Sequence, residues 1–220
     1  MIQFHDYSVK ISRQGLLYEM LTTRRYCTFL LAFSLALSCF GTPTVKAQVG
    51  PDDFIRTVAK KAINSLANKQ ITASEKEEHF RKLLRQSFEL KLIARFTLGR
   101  FWRRATKDQK TEYTKLFEDF VVKAYAARFS DYKGEKFIVG KVRKINDRDI
   151  LVKSEFIFMD GRKIPVFWRL RNSKTLKIID VLVEGVSMAI TQRDEFAAII
   201  NRSGGKLDGL ISALRKKTRK

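Results

Sequence analysis

The side chains able to do chemistry are few, and their neighbours do not equip them for it. Ser187 lies in Gly185-Val186-Ser187-Met188, where an apolar run gives way to a helical pattern. A serine nucleophile needs a histidine base and an acid to orient that base. Here the Gly-x-Ser-x-Gly elbow is missing, and residues 48–220 hold one histidine, His79, set among charges in EKEEHFRK. His79 reads as a surface side chain. Asp180 and Glu184 share a face of one extended segment, and a carboxylate pair can serve acid–base catalysis. Among so many Lys and Arg they read instead as salt-bridge partners. The sequence shows no GxxxxGK[ST] loop, no GxGxxG and no metal-ligand spacing. The expectation is a protein that is not an enzyme and uses no metal or cofactor.

The compartment follows from residues 24–47. Arg24-Arg25 precede the uncharged run Tyr26 to Phe40, which Gly41 and Pro43 break before Val45-Lys46-Ala47. A basic start, an apolar stretch of this length and an Ala-x-Ala-like site mark a secretory signal peptide. The run falls short of the roughly 18 residues expected of a spanning helix. A conventional leader would begin at Met20, so residues 1–47 are read as leader, with a signal peptide over 20–47 and cleavage after Ala47. Thr23-Arg24-Arg25 as a twin-arginine signal and Cys39 as a lipoprotein acceptor are weaker fits. Both cysteines, Cys27 and Cys39, lie in the leader, which leaves residues 48–220 without a thiol for a disulfide or a metal. That stretch is expected to form one domain in the periplasm.

The whole chain carries +21. Residues 1–47 hold five Lys/Arg against two Asp/Glu, so the remainder has 39 cations against 21 anions, a net +18. Export argues against nucleic acid as the partner. An anionic membrane surface or an acidic protein then becomes the natural counterpart.

The elements beneath this charge divide in two. Ile55, Val58, Ala62 and Leu66 recur at helical spacing after Pro51. Thr72-x-x-Glu75 and Thr106-x-x-Gln109 are capping-box patterns. Behind the first come Phe80, Leu83, Leu84 and Phe88. Behind the second, Tyr113, Leu116, Phe117, Phe120, Val121 and Ala124 define the clearest amphipathic helix. A shorter helix fits Leu90 to Leu98. Four short runs follow, at residues 137–145, 150–158, 164–170 and 176–183, separated by turn residues such as Asp160-Gly161. They predict an antiparallel meander, with the last strand, apolar nearly throughout, covered on both sides. Helical patterns return from Met188 to Ile200 and from Leu207 to Leu214. The fold class is α+β: a helical first half, a four-stranded sheet and C-terminal helices packing back on it. Thirteen Phe, two Trp and three Tyr beyond the leader supply apolar bulk. They could close into a core or leave a slot between sheet and helices, and patterning alone does not choose.

The corner from Ile179-Asp180-Val181-Leu182-Val183-Glu184-Gly185-Val186-Ser187-Met188 to Arg193, Phe196 and Gly205-Lys206-Leu207-Asp208-Gly209-Leu210 resembles the C-terminal signature of the MlaC family. These are periplasmic phospholipid-binding proteins, also called toluene-tolerance auxiliary components of an ABC transport system. Gly99-Arg100-Phe101-Trp102-Arg103-Arg104-Ala105-Thr106, with Gln109 and Phe117, is similar to the family's Gly-x-aromatic-Trp segment. The Ile164–Leu170 strand fits as well. Thr191-Gln192-Arg193 stands where the family often has Asn-Tyr-Arg.

The resemblance implies a monomeric carrier that encloses phospholipid acyl chains between sheet and helices. It also implies partners: an inner-membrane ABC lipid-transport complex and an outer-membrane lipoprotein/porin complex, served to keep the outer membrane's lipids asymmetric. The residues expected to line the slot are Trp102, Phe120, Tyr125 and Phe129 from the helices. From the sheet come Val152, Phe156, Phe158, Val166, Trp168, Val181 and Val183, with Val186 and Met188 at the corner. Gly185 would allow close backbone approach, and Ser187 would cap the next helix. Three other readings stand beside this one: a carrier of hopanoid-like lipids, a basic adaptor that carries nothing, and a hydrolase using Ser187.

Overall fold

The computed structural model describes residues 49–66, 68, 70–126, 134–173 and 175–219. The leader and Phe129 therefore lie outside the described residues.

Helix α1 (Pro51–Leu66) opens with Asp52 and Asp53 in its first turn, where carboxylates meet the positive end of the helix dipole. Helix α2 (Ala73–Ser87) begins at the expected capping box: Glu75 N–H donates to Thr72 Oγ1 at 3.2 Å, and Thr72 N–H donates to Glu75 Oε2 at 2.7 Å. Helix α3 spans Leu90–Leu98 and α4 the single turn Phe101–Arg104. Helix α5 (Lys107–Ala126) starts at the second box, with Thr106 and Gln109 exchanging bonds of 3.1 and 3.2 Å.

The sheet runs β1 (Lys136–Lys144), β2 (Asp149–Ile157), β3 (Lys163–Asn172), β4 (Leu176–Val183) and β5 (Val186–Ser187), antiparallel and in sequence order. The α+β meander is as expected, with one strand more than the four predicted. The fifth is two residues long, too short to leave an alternation in the sequence. It exists because Glu184 and Gly185 take φ of 51° and 86°. This left-handed pair is the geometry of a tight hairpin, and it sets Val183 directly opposite Val186. Two helices complete the fold, α6 (Met188–Arg202) and α7 (Leu207–Thr218).

Two apolar cores result. One joins α1 and α2 to the sheet face carrying Val139, Val152, Leu170 and Ile178. The other is helical: Ala94 and Leu98 of α3, Tyr113 and Phe117 of α5, Phe196 of α6 and Leu210 of α7. Tyr113 and Phe196 meet edge to face at 6.1 Å. The Tyr113 hydroxyl pairs with Thr97 Oγ1 at 2.8 Å, and burial pushes this phenol's pKa well above its usual value.

Ion pairs tie neighbouring helices and neighbouring strands together. Arg81 of α2 reaches Glu118 and Asp119 of α5 at 2.9 and 2.7 Å. Asp149, at 1% exposure, takes Arg169 and Arg171 on its two oxygens. Strand β4 is not covered on both sides as predicted; it is half-buried nearly throughout, with Ile178 alone fully buried. Its continuous apolar run has another cause. Val181 and Val183 face the helices beside Trp168 and Val166, while Leu182 on the opposite face pairs with Phe167 of β3.

Candidate functional site

Where the sheet's covered face meets α1, α2, α3, α5 and the start of α6, packing stops short and leaves a cavity of about 430 Å³. That lies within the ~300–1,000 Å³ usual for a small-molecule site. Each helix contributes a stripe at its own period: Val58, Ala59, Ala62 and Ile63 from α1, and Phe80, Leu83 and Leu84 from α2. Leu90, Ile93 and Thr97 come from α3, and Phe117, Val121 and Tyr125 from α5. Phe156, Trp168, Val181 and Val183 form the sheet wall, and Met188, Ala189 and Gln192 of α6 close one side.

The polar atoms in these walls are mostly engaged with the protein. The Thr97 hydroxyl bonds Tyr113 and its own helix. Asp180 accepts from Val181 N–H at 2.8 Å, Ser187 Oγ at 2.6 Å and Ala189 N–H at 3.1 Å. The Trp168 indole donates to Ser154 Oγ at 2.8 Å, and Ser154 donates in turn to Val166 O at 3.1 Å. Phe137 meets Trp168 edge to face, which holds the ring against the cavity. An occupant is therefore offered hydrocarbon almost everywhere. Such a surface favours aliphatic matter at about 0.8 kcal/mol per buried methylene.

Six of the thirteen residues expected to line the slot come together here: Tyr125, Phe156, Trp168, Val181, Val183 and Met188. The other described ones lie elsewhere. Val152 and Val166, at 0% and 4% exposure, are packed in the core behind the wall. Phe120 sits one residue before Val121, about 100° around α5, and turns to Phe196 at 5.9 Å. Phe158 closes the β2–β3 turn beneath Arg162. Trp102 lines a separate cleft outside α3, with Lys110 over its ring.

Val186 belongs to no wall; on its two-residue edge strand it is 55% exposed. Gly185 is required by its φ of 86°, not by close approach, since a Cβ there would meet nothing within 4 Å. Ser187 does cap α6, accepting from Ile190 N–H at 3.1 Å while it donates to Asp180. Sequence reasoning missed the contributions of α1, α2 and α3. Their stripes were visible as apolar spacing, but a stripe that lines a cavity and one that fills a core are written in the same residues.

The model of one protein family, described as MlaC protein, matches residues 56–216. The chain belongs to the MlaC family. The intermembrane phospholipid transport system binding protein MlaC of Haemophilus influenzae is 21% identical over 184 residues, covering 80% of this chain and 85% of that protein. The toluene tolerance protein ttg2D of Pseudomonas putida is 23% identical over 181 residues, covering 80% and 84%. A solved structure of a phospholipid-binding protein from Ralstonia solanacearum, in complex with a phospholipid, superposes with a TM-score of 0.69 at 18% identity. It covers 78% of this chain and 97% of that one, a likeness of fold. In this MlaC-family member every secondary-structure element from α2 to β5, and α6, lies inside the matched region, and so does the whole cavity wall, which runs from Val58 to Gln192.

Proposed function

We propose that this MlaC-family chain is a periplasmic phospholipid carrier. It shelters acyl chains in the cavity and leaves the head group outside it. The observation that carries the reading is the cavity itself, walled by hydrocarbon on five helices and the sheet. A closed-core adaptor would have no use for it. The leader over residues 20–47 would direct export and be removed after Ala47, freeing 48–220 as one monomeric domain. The loaded carrier would then cross between an inner-membrane ABC lipid-transport complex and an outer-membrane lipoprotein/porin complex, so maintaining the asymmetry of the outer membrane. No metal or cofactor takes part, and the lipid is cargo. Ser187 acts in this reading as a helix cap and not as a nucleophile.

Val181→Glu tests the cavity. A carboxylate beside acyl chains costs far more than the ~1.4 kcal/mol that equals a tenfold change, so lipid recovered with the protein should fall roughly tenfold or more. The urea midpoint should move little, because the empty cavity admits water to the new carboxylate. A variant that unfolds while the parent carries no lipid would mean that the cavity is a closed core.

A further inference from the structure

A second concavity lies on the outer side of α3 and α6, about 420 Å³ in volume, and the carrier reading does not use it. Four arginines line it: Arg95 at the C-terminal end of α3, Arg100 and Arg103 around α4, and Arg193 on α6. Phe96 and Trp102 supply its apolar walls. Among the described residues none of the four arginines is in a salt bridge, although the structure pairs Arg81, Arg85, Arg169, Arg171 and Arg215 with carboxylates.

The arginines are nonetheless held in place. Arg193 lies 5.4 Å from the Phe96 ring, and Arg100 lies 5.0 Å from the Phe101 ring while donating a long hydrogen bond of 3.5 Å to Asn201 Oδ1. Gly99, at φ 56°, makes room for Arg193: a Cβ there would stand 2.9 Å from its Nε. Like charges gathered at one cleft repel, so holding four arginines there without an anion is a standing cost that a ligand would remove.

The number of forks indicates which anion. Asp149 shows what one carboxylate accommodates: its two oxygens are filled by two arginines. A phosphate monoester offers three acceptor oxygens and a larger charge, so it satisfies more guanidinium groups at once. The volume leaves space beside it for a small polar residue such as glycerol. We propose that this cleft is a binding site for a phosphate monoester, whether free in solution or carried as the head group of phosphatidic acid in a lipid surface. The site lies on the opposite side of α3 from the cavity and stands independently of the carrier reading.

The test is titration of the purified protein with inorganic phosphate and with glycerol phosphate. A parallel arm measures sedimentation with vesicles of phosphatidic acid in phosphatidylcholine, against phosphatidylcholine alone. Two variants accompany it: Arg95→Gln with Arg103→Gln, both exposed, and Arg193→Gln, which also loses the stacking on Phe96. Saturable binding that weakens roughly tenfold or more in the double variant supports the site. If the soluble esters bind and vesicles do not, the ligand is a free phosphate monoester; if phosphatidic acid vesicles bind and the double variant releases them, it is a lipid head group. Binding that is absent in both arms, or unchanged in the folded double variant, overturns the proposal. So does saturable binding of a glutamate-rich peptide that glycerol phosphate fails to displace, which would make the cleft a dock for an acidic protein segment.

Discussion

Single residues carry two sharp consequences. The hydrogen bonds from Arg171, and then those from Arg169, hold the Asp149 carboxylate below its ordinary pKa despite its burial. A depressed folded pKa stabilises the protein above the unfolded value of ~3.9 and stops doing so as pH falls through the folded one. Urea midpoints should therefore hold from neutrality down to the ordinary carboxylate range and decline below it. Asp149→Asn should cost about 2–3 kcal/mol at pH 7 and flatten that acid decline; an unchanged midpoint would show the clamp to be idle. The other consequence concerns Trp168. With its indole bonded to Ser154 and its ring on the cavity wall, its fluorescence should shift to the blue when lipid replaces water, read in a Trp102→Phe background. Trp102 and Trp168 looked alike in sequence as aromatic bulk. Only packing separates them, because Trp102 follows the α3–α4 turn to the outside of the helix pair.

At the scale of elements, local chemistry was the legible part. Both capping boxes form as spaced, and β1 to β4 fall within two residues of the predicted runs, because caps and alternation are written in neighbouring residues. Helix α5 marks the limit. Over 20 residues it buries two faces, Val121 and Tyr125 toward the cavity and Tyr113 and Phe120 toward α6, with Phe117 reaching both. Its pattern states that these residues are buried and is silent on what they meet. The β4–β5 corner misled in another way. Val186 follows a left-handed two-residue turn, and the edge strand beyond that turn leaves it in solvent. Ser187 and Asp180 together hold the start of α6, so Ser187→Ala should lower stability by about 1 kcal/mol and leave lipid content unchanged. An esterase activity that disappears in this variant would replace the cap with a nucleophile.

For the whole molecule, fold class and family were accessible from the sequence, because the signature spans strand, corner and helix in a fixed order. The cavity was not. It depends on how far α1 and α2 stand from the sheet, and no residue type encodes a gap: Ala62 would serve a closed core as well as an open wall. The cavity is also what divides a carrier from an adaptor. Its direct test is organic extraction and mass spectrometry of the protein purified without detergent from the cell envelope. A lipid carrier yields diacyl phospholipid in stoichiometric amount, and a polycyclic lipid in its place would assign a different cargo to the same walls. A folded monomer that yields no lipid of any kind would contradict the account.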